Sequence, residues 1–505
     1  MSIEVKSEER PHQSSRPGPF PLRRCRELIG RNRLFTTALV LAMVLRGLTM
    51  LGYRPALWFP DSFDYLQRSL RMEPGLIHPN GYAFFLWLLR PFHSVLLVVA
   101  IQHVLGLGMA TLMYALLRRY GLPSWGALLA AVVVLFDPRQ LLLEQAILTE
   151  TVFSCCVVSA VVLLLWRPVV TPRAACLVGA LLALAALNRP VAVPLILLVL
   201  GSLVVRRAGR RVIATGLAAW LVPLVAYAGW FAAYHDRFSL SGEDGIFLWA
   251  RTTSFADCTV IKPPAELVPL CPSRRHLRPW PASFLLDTKS PSHYLSDPHE
   301  WFSGSSRYPR HVPGLPARPP IDPAGDNEKA WRFAIDAILA QPLDYALTVT
   351  RDTAYTVLMA DPPVQLQSFR FQPAPPFSPS PQNLDALHQY AHADARTRVA
   401  GLPAAALRYY QDRVFLSGVQ FTLILTLGLG GVIRRRRRNG GPGLLPWVTA
   451  VALLVLPAAT AQGDPRYGVP AMPLACLAAA LAFARCSSET ARCSAGSMAA
   501  ADTAS

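Results

Sequence analysis

The chain has 505 residues, of which 52% are hydrophobic and only 16% are charged. Soluble proteins carry about 25% charged residues, so this composition excludes an ordinary soluble domain. The formal net charge is +18, but the basic residues cluster between apolar runs, in Arg118-Arg119, Arg206–Arg211 and Arg434–Arg438. This is the positive-inside pattern of membrane proteins, so no nucleic-acid partner is predicted.

The apolar runs predict an all-α polytopic protein with about ten transmembrane helices. The arginine clusters orient these helices and place both termini in the cytoplasm, with the first run retained as a signal anchor. In chain order the predicted spans are Leu34–Leu51, Val95–Leu117, Trp125–Phe136, Glu150–Trp166, Cys176–Leu187, Val191–Val205, Val212–Phe231, Val414–Ile433, Leu445–Ala461 and Val469–Ala484.

The predicted topology divides the chain into five parts. A cytoplasmic N-terminal arm (1–33) precedes a transmembrane core with an external acidic loop (34–231). An external domain (232–412) follows helix 7, and the C-terminal transmembrane helices (413–485) and a cytoplasmic tail (486–505) complete the chain. The external segment is too long for a simple loop and is expected to have structure of its own.

Two features of the external domain can be predicted from its sequence. Asn327–Gln341 and Leu343–Met359 have helical patterns, and on the first helix Ala334, Ile335, Ile338 and Leu339 share one face. Among the nine cysteines, only Cys258 and Cys271 fall in this segment. A disulfide between them is predicted because disulfides persist in oxidising compartments, and two unpaired thiols are the alternative.

Several polar residues fall on the outer side of this topology. Asp61 and Asp64 are three residues apart and share a face if the chain there is helical. One carboxylate could accept a proton from a hydroxyl nucleophile, and both could help to hold a divalent cation as a cofactor. The alternative is that Pro60-Asp61-Ser62 simply begins a helix.

Three further charged residues lie at the ends of predicted spans on the same side. Glu150 begins a span, where it could be a functional acid or only a favourable charge at a helix N-terminus. Arg189 and Arg466 are predicted to lie on the outer side, where the positive-inside rule makes arginine uncommon. Their guanidinium groups could bind a phosphorylated substrate. An ion pair with Asp464 or Glu150 is the structural alternative. His78 is a weaker candidate, since histidines in such turns are more often structural.

The order of these motifs resembles the GT-C membrane glycosyltransferases, which include the protein O-mannosyltransferases and the lipid A aminoarabinose transferases. The resemblance covers most of residues 34–230 and 462–480, and only loosely the external segment, through Ala337–Ala346. The motifs that carry it are PDSFDYL (Pro60–Leu66), HPNGY (His78–Tyr82), an Arg-Arg turn in LRRYGLP (Leu117–Pro123) that ends the span holding Gln102, LTETVF (Leu148–Phe153) and DPRY (Asp464–Tyr467).

The resemblance implies transfer of a sugar from a polyprenyl-phosphate carrier to an acceptor hydroxyl at the outer face of the inner (plasma) membrane, with inversion. The acceptor could be a glycan, a lipid or a protein. Asp61 corresponds to the family's general base, with Asp64 and Glu150 as further catalytic candidates. His78, Tyr82, Arg189, Arg466 and Tyr467 are candidates for substrate binding. Where relatives carry a second acid directly after the first, this chain has Ser62.

Three alternatives remain for the function, one of which is a non-catalytic scaffold of the same fold that has lost activity. An enzyme similar to O-antigen ligases would also have many spans and a large external loop. A transporter or flippase of a lipid-linked saccharide would place its polar residues near the bilayer midplane, on broken helices related by an inverted repeat. The polar residues here instead gather at the outer side, and no internal repeat is visible in the sequence.

Overall fold

The computed structural model describes residues 32–272, 323–358, 369–375, 377, 379–435, 441–461 and 463–484. Of these residues 76% are helical, and the sheet they form has two short antiparallel strands, Tyr53–Arg54 (β1) and Arg398–Val399 (β2). The described chain is therefore all-α, as its composition predicts. The two predicted cytoplasmic arms lie outside the described residues, apart from Asn32 and Arg33.

The helices divide into those before the external domain and those within or after it. The first group is α1 (Arg33–Gly52), α2 (Pro60–Arg71), α3 (Gly81–Leu89), α4 (Val95–Arg119), α5 (Ser124–Phe136), α6 (Pro138–Gln145), α7 (Glu150–Trp166), α8 (Pro172–Asn188), α9 (Leu195–Val205) and α10 (Arg210–His235). The second is α11 (Asp244–Thr252), α12 (Cys258–Ile261), α13 (Pro323–Ala340), α14 (Pro342–Leu358), α15 (Pro381–Ala391), α16 (Gly401–Gln411), α17 (Gly418–Arg434), α18 (Leu444–Thr460), α19 (Pro465–Gly468) and α20 (Met472–Leu481).

Four of the described helices are long and apolar enough to cross a membrane. They are α1, α4, α10 and the segment Gly441–Thr460 that contains α18. Helices α5 and α6 form a fifth candidate if they are one span, bent by 47°. Apolar helices of 10–17 residues follow at α7, α8 and α17, and at Pro190–Val205, which contains α9. The structure is thus consistent with an all-α membrane protein.

Helix α6 lies in Asp137–Thr149, the segment between two predicted spans that the predicted topology places outside the membrane. The helix forms because Asp137 caps it, accepting a hydrogen bond from the backbone N–H of Arg139 at 2.9 Å, and because Pro138 occupies its first turn. Every residue of α6 but Arg139 is buried, including Glu144. This acid is therefore part of the protein interior and not of an exposed loop.

The apolar residues form two separate cores. The larger one contains side chains from the helices α1 to α10 and from the C-terminal helices. The smaller one lies in the external domain, where Trp249 and Phe255 pack with Phe333 and Ala337 of α13. The face predicted for α13 is partly wrong, because Leu339 is 74% exposed while Phe333 and Ala337 are buried.

Later parts of the external segment pack back onto the chain that follows α1. Tyr53 pairs with Val399 in the two-stranded sheet, and the indole N–H of Trp58 donates to the carbonyl oxygen of Ala395 at 2.9 Å. The hydroxyl of Tyr390 donates to the carbonyl oxygen of Leu86 at 2.8 Å. These contacts fix the approach to α2, the helix that carries Asp61.

Candidate functional site

Four helix ends meet at one place and bring together charged residues that are far apart in sequence. Asp61 lies in the first turn of α2, and Glu150 is the first residue of α7. Arg189 follows the last residue of α8, and Arg466 lies in the short helix α19. Acids in the first turn of a helix are stabilised by its dipole, which favours these positions for both carboxylates.

Arg466 lies between the two acids. Its Nη1 is 3.4 Å from Oδ2 of Asp61, and its Nε is 3.2 Å from Oε1 of Glu150. The second contact lacks hydrogen-bond geometry, so it is an ion pair only. Arg189 also contacts Glu150, with its Nη1 2.8 Å from the same oxygen. Oε1 of Glu150 is therefore shared by the guanidinium groups of Arg189 and Arg466, and Asp61 competes with Glu150 for Arg466.

Aromatic rings cover the two arginines. The guanidinium of Arg189 lies 4.6 Å from the ring centroid of Tyr467, and that of Arg466 lies 5.0 Å from the rings of both Tyr467 and Phe369. Arg466 Nη2 also donates to the hydroxyl of Tyr467 at 3.2 Å. Cation–π contacts of this kind hold a guanidinium in place without using all of its N–H donors.

The charges in this cluster shift one another's pKa values. Burial acts to raise the pKa of Asp61, but the charges of Arg466, His78 and Arg189 outweigh it and hold that pKa below its usual value. Burial raises the pKa of Asp464, although Arg466 acts in the opposite direction. Asp61 is therefore ionised at neutral pH, as a proton acceptor must be.

Two glycines in the predicted motifs are required by close backbone contacts. A Cβ on Gly81 would clash with the backbone of Leu187 and Asn188, so α3 can approach the end of α8, next to Arg189, only with glycine there. A Cβ on Gly463 would lie 2.6 Å from the carbonyl oxygen of Asp352 on α14. Gly81 in HPNGY and Gly463, directly before DPRY, thus have a structural role in placing the cluster.

Three other residues predicted for the site, His78, Tyr82 and Asp64, do not contact Arg189 or Arg466 directly. His78 packs against Tyr65, with ring centroids 5.4 Å apart. Tyr82 contacts Tyr65 at 5.3 Å and donates to Oε1 of Gln102 at 2.7 Å. Asp64 is not brought to Arg466, since its carboxylate pairs with Arg68 on the same helix.

The disulfide candidates lie away from the cluster, in the external domain. Cys258 and Cys271 are joined, with their sulfur atoms 2.06 Å apart. They pack against the smaller hydrophobic core, so this bond belongs to the external domain and has no part in the candidate site.

A cavity of about 930 Å³ opens next to Arg466. Its walls are largely apolar and include Phe369, Phe415 and Val469, while Arg466 and Asp464 line it on the side of the cluster. Phe415 is 52% exposed at the start of the chain leading into α17. Arg139, Arg370 and Asp412 line it as well, and Arg466 is the residue through which it meets the pair formed with Asp61.

Sequence reasoning missed a second charged network, behind the cluster. Arg46 on α1 binds both carboxylate oxygens of Glu144 at 2.8 and 2.9 Å, and His103 Nδ1 lies 2.8 Å from the same carboxylate. Gln102 donates to the backbone carbonyl oxygen of Glu144 at 2.9 Å and accepts from Tyr82. An arginine within an apolar span is unusual enough to have marked Arg46 as a candidate.

Two aromatic residues near the site, Tyr65 and Phe369, were not among the residues predicted from the sequence. Tyr65 lies on α2 between the two predicted acids and the HPNGY turn, and burial together with the charges of Asp61 and Glu150 raises its pKa well above the usual value. Phe369 comes from the external segment, where no motif marked it. Among the described residues, no group of three or more His, Cys, Asp or Glu side chains is arranged to hold a metal ion.

Comparisons of the chain with protein-family models, with curated proteins and with solved structures find no match.

Proposed function

We propose that this chain is a membrane glycosyltransferase of the GT-C type with about ten spans, which transfers a sugar from a polyprenyl-phosphate carrier to an acceptor hydroxyl at the outer face of the inner membrane. One observation carries the proposal. An ionised carboxylate, Asp61, pairs with Arg466, and Arg466 lines a largely apolar cavity of about 930 Å³. A lipid phosphate needs this combination of cationic and apolar surroundings.

The count of ten spans adds to the four long helices and the bent pair α5 and α6 four short apolar helices and the last predicted span, Val469–Ala484, which contains α20. Helices α7, α8 and α17 and the segment Pro190–Val205 are shorter than a full crossing of about 30 Å requires. Each coincides with a predicted span, and flanking residues or local thinning of the bilayer can make up the difference. Glu150 and Arg189, at the ends of α7 and α8, then lie on the same side of the membrane as Asp61.

In the proposed reaction, Asp61 accepts the proton of the acceptor hydroxyl as the acceptor oxygen forms a bond to the anomeric carbon. The bond between that carbon and the phosphate oxygen breaks, and the electron pair leaves with the polyprenyl phosphate. Arg466 and Arg189 stabilise the charge that develops on the phosphate. A single displacement of this kind inverts the anomeric configuration.

The two arginines and the aromatic rings support this assignment of roles. Arginine binds phosphate through two N–H groups in parallel, and Arg466 keeps a buried Nε that donates no hydrogen bond. Phe369 and Tyr467 hold its guanidinium in place from the ring faces. Glu150 stays between the two arginines as the charge that keeps them together.

The test is transfer from a radiolabelled polyprenyl-phosphate sugar by the purified protein in detergent. Asp61→Asn should lower the rate by at least ~10²-fold if general-base catalysis applies, and Arg466→Ala should raise the donor KM, lower kcat, or both. Asp385→Asn, an exposed acid on α15, is the matched control and should transfer at the wild-type rate. Full activity of Asp61→Asn would remove Asp61 as the base.

A further inference from the structure

Helix α14 of the external domain is polar on its buried side and apolar on its exposed side. The buried side carries three polar residues at the four-residue spacing of one helix face, Thr348, Asp352 and Thr356. The opposite side carries three leucines that are 78%, 68% and 54% exposed, Leu343, Leu347 and Leu358. A helix on the surface of a water-soluble domain has the reverse arrangement, with its leucines inside.

The polar residues on the buried side fix the orientation of α14. Arg251 of α11 is fully buried, and its Nη1 donates to Oδ2 of Asp352 at 2.8 Å. The hydroxyl of Thr356 donates to the carbonyl oxygen of Asp352 at 2.9 Å. Turning the leucines inward would break a buried ion pair, which is strongly destabilising.

The exposed side of α14 has little polar surface between its leucines. Ala346 and Ala354 are exposed there, and the hydroxyl of Thr350 donates to the carbonyl oxygen of Ala346 at 2.8 Å. The exposed charged side chains of the helix, Asp344 and Arg351, lie at one edge of this side, and both have partners within the protein. At 3.6 residues per turn, the apolar positions fall within about a third of the circumference. This leucine stripe consists of Leu343, Ala346, Leu347, Thr350, Ala354 and Leu358.

Both ends of α14 lie at the outer ends of predicted membrane spans. Near its start, the hydroxyl of Tyr345 donates to the carbonyl oxygen of Ala459, in the last turn of α18, at 3.0 Å. At its other end, the carbonyl group of Leu358 packs against Gly418, the first residue of α17. The predicted topology places both points at the outer surface of the membrane. Helix α14 therefore runs along that surface for roughly 20 Å and does not cross the bilayer.

The leucine stripe is continuous with the exposed apolar surface of a predicted span. Val419 and Leu423, in the first turns of α17, are exposed, and a span that crosses the bilayer turns such residues toward lipid. Leu339, at the end of α13 and directly before α14, is exposed as well. The same surroundings therefore suit the stripe and the outer end of α17.

We propose that α14 is an interfacial helix whose leucine stripe lies in the outer leaflet, between the headgroups and the acyl chains. Helices of this kind bury their apolar face about 5–10 Å into that boundary. On its other side, Asp352 of α14 packs against Gly463, directly before the segment that carries Arg466. The proposal goes beyond the proposed function, because it needs the predicted topology but not the transfer reaction.

The experiment identifies what the stripe contacts in a bilayer. The photoreactive residue p-benzoylphenylalanine replaces Leu343 or Leu347 in the full chain, which is reconstituted into nanodiscs of phosphatidylethanolamine and phosphatidylglycerol. After illumination, mass spectrometry of the protein shows which molecule the residue has captured. Both positions should give phospholipid adducts, about tenfold more than the same replacement of Asp385, an exposed acid on α15 and the matched control.

Every other result would overturn the proposal. Capture of a second copy of the chain would make the stripe a subunit interface, and capture of another segment of the same chain would show that protein covers it. Equal adduct yields at Leu347 and Asp385, or none at either, would leave the stripe in water. Lipid capture at Leu423 of α17 without capture at Leu347 would place α14 outside the bilayer. Transfer activity does not enter these outcomes, so either proposal can fail while the other stands.

Discussion

Replacing Arg466 by alanine should destabilise the folded protein and change the ionisation of Asp61. The arginine side chain is 12% exposed and lies 3.4 Å from Oδ2 of Asp61 and 3.2 Å from Oε1 of Glu150. Its loss leaves Asp61 without the cation that contacts it in the described structure. Glu150 still has Arg189, 2.8 Å away.

The size of the effect follows from the burial of these groups. Breaking a fully buried ion pair from one side costs about 3–5 kcal/mol, because the remaining charge loses its partner. Here Asp61 keeps 21% exposure and Arg189 continues to neutralise Glu150. We therefore expect a smaller loss of about 2 kcal/mol in the free energy of unfolding.

The loss should also depend on pH. The pKa of Asp61 is lower in the folded protein than in the unfolded chain, so its pair with Arg466 stabilises the fold above the unfolded pKa of about 3.9. This stabilisation disappears as the pH falls through the lower, folded pKa. The difference in stability between wild type and Arg466→Ala should thus be constant from about pH 6 to 8 and shrink below about pH 4.

The assay is unfolding of the purified protein in detergent, followed by intrinsic tryptophan fluorescence, for the wild type, Arg466→Ala, Asp61→Asn and the double variant. If the two residues interact directly, the double variant should be less destabilised than the sum of the single variants, by about 1 kcal/mol. Arg396→Ala, which removes a cation that pairs at the protein surface, is the matched control. Additive losses, or a pH-independent difference, would refute a direct pair between Arg466 and Asp61.

Three further predictions concern the rest of the chain. Arg46→Ala should cost about 3–5 kcal/mol of stability, since it leaves the carboxylate of Glu144 buried with less compensation, and fluorescence-detected unfolding should measure this loss. Reducing the bond between Cys258 and Cys271, which closes a loop of 13 residues, should cost about 3 kcal/mol, and a membrane-impermeant thiol reagent should label both cysteines only afterwards. Reporters fused after Arg211 and within the external domain should report opposite sides of the membrane; the same side for both would contradict the proposed topology.

The ends of the helices could be predicted because their signals are local. Asp61, Glu150 and Arg466 each follow an apolar run or begin one. The arginine clusters predict that these ends of the apolar runs lie on the outer side of the membrane. Their convergence in the structure matches that expectation, although the sequence did not determine which acid each arginine contacts. Glu150 receives both arginines, an outcome that depends on how α7 and α8 pack and not on spacing along the chain.

Other parts of the site could not be predicted because they depend on contacts between distant segments. Phe369 comes from the external segment, which carries no recognised motif at that position. Glu144 falls in Asp137–Thr149, which lies between two predicted spans and outside the membrane in the predicted topology. Its burial becomes understandable only when Arg46 and His103, from two other helices, are placed next to it.

The contact between Asp61 and Arg466 also bears on how the proposed reaction is controlled. A carboxylate whose pKa is held low by an arginine is ionised but is a weak proton acceptor, and general-base catalysis works best with a pKa near the operating pH. A donor phosphate that binds Arg466 would take the place of Asp61 and add a negative charge beside it. Both changes raise the pKa of Asp61. On the proposed function, Asp61 therefore becomes a stronger base only when the donor is bound, which would limit wasteful reaction at an empty site.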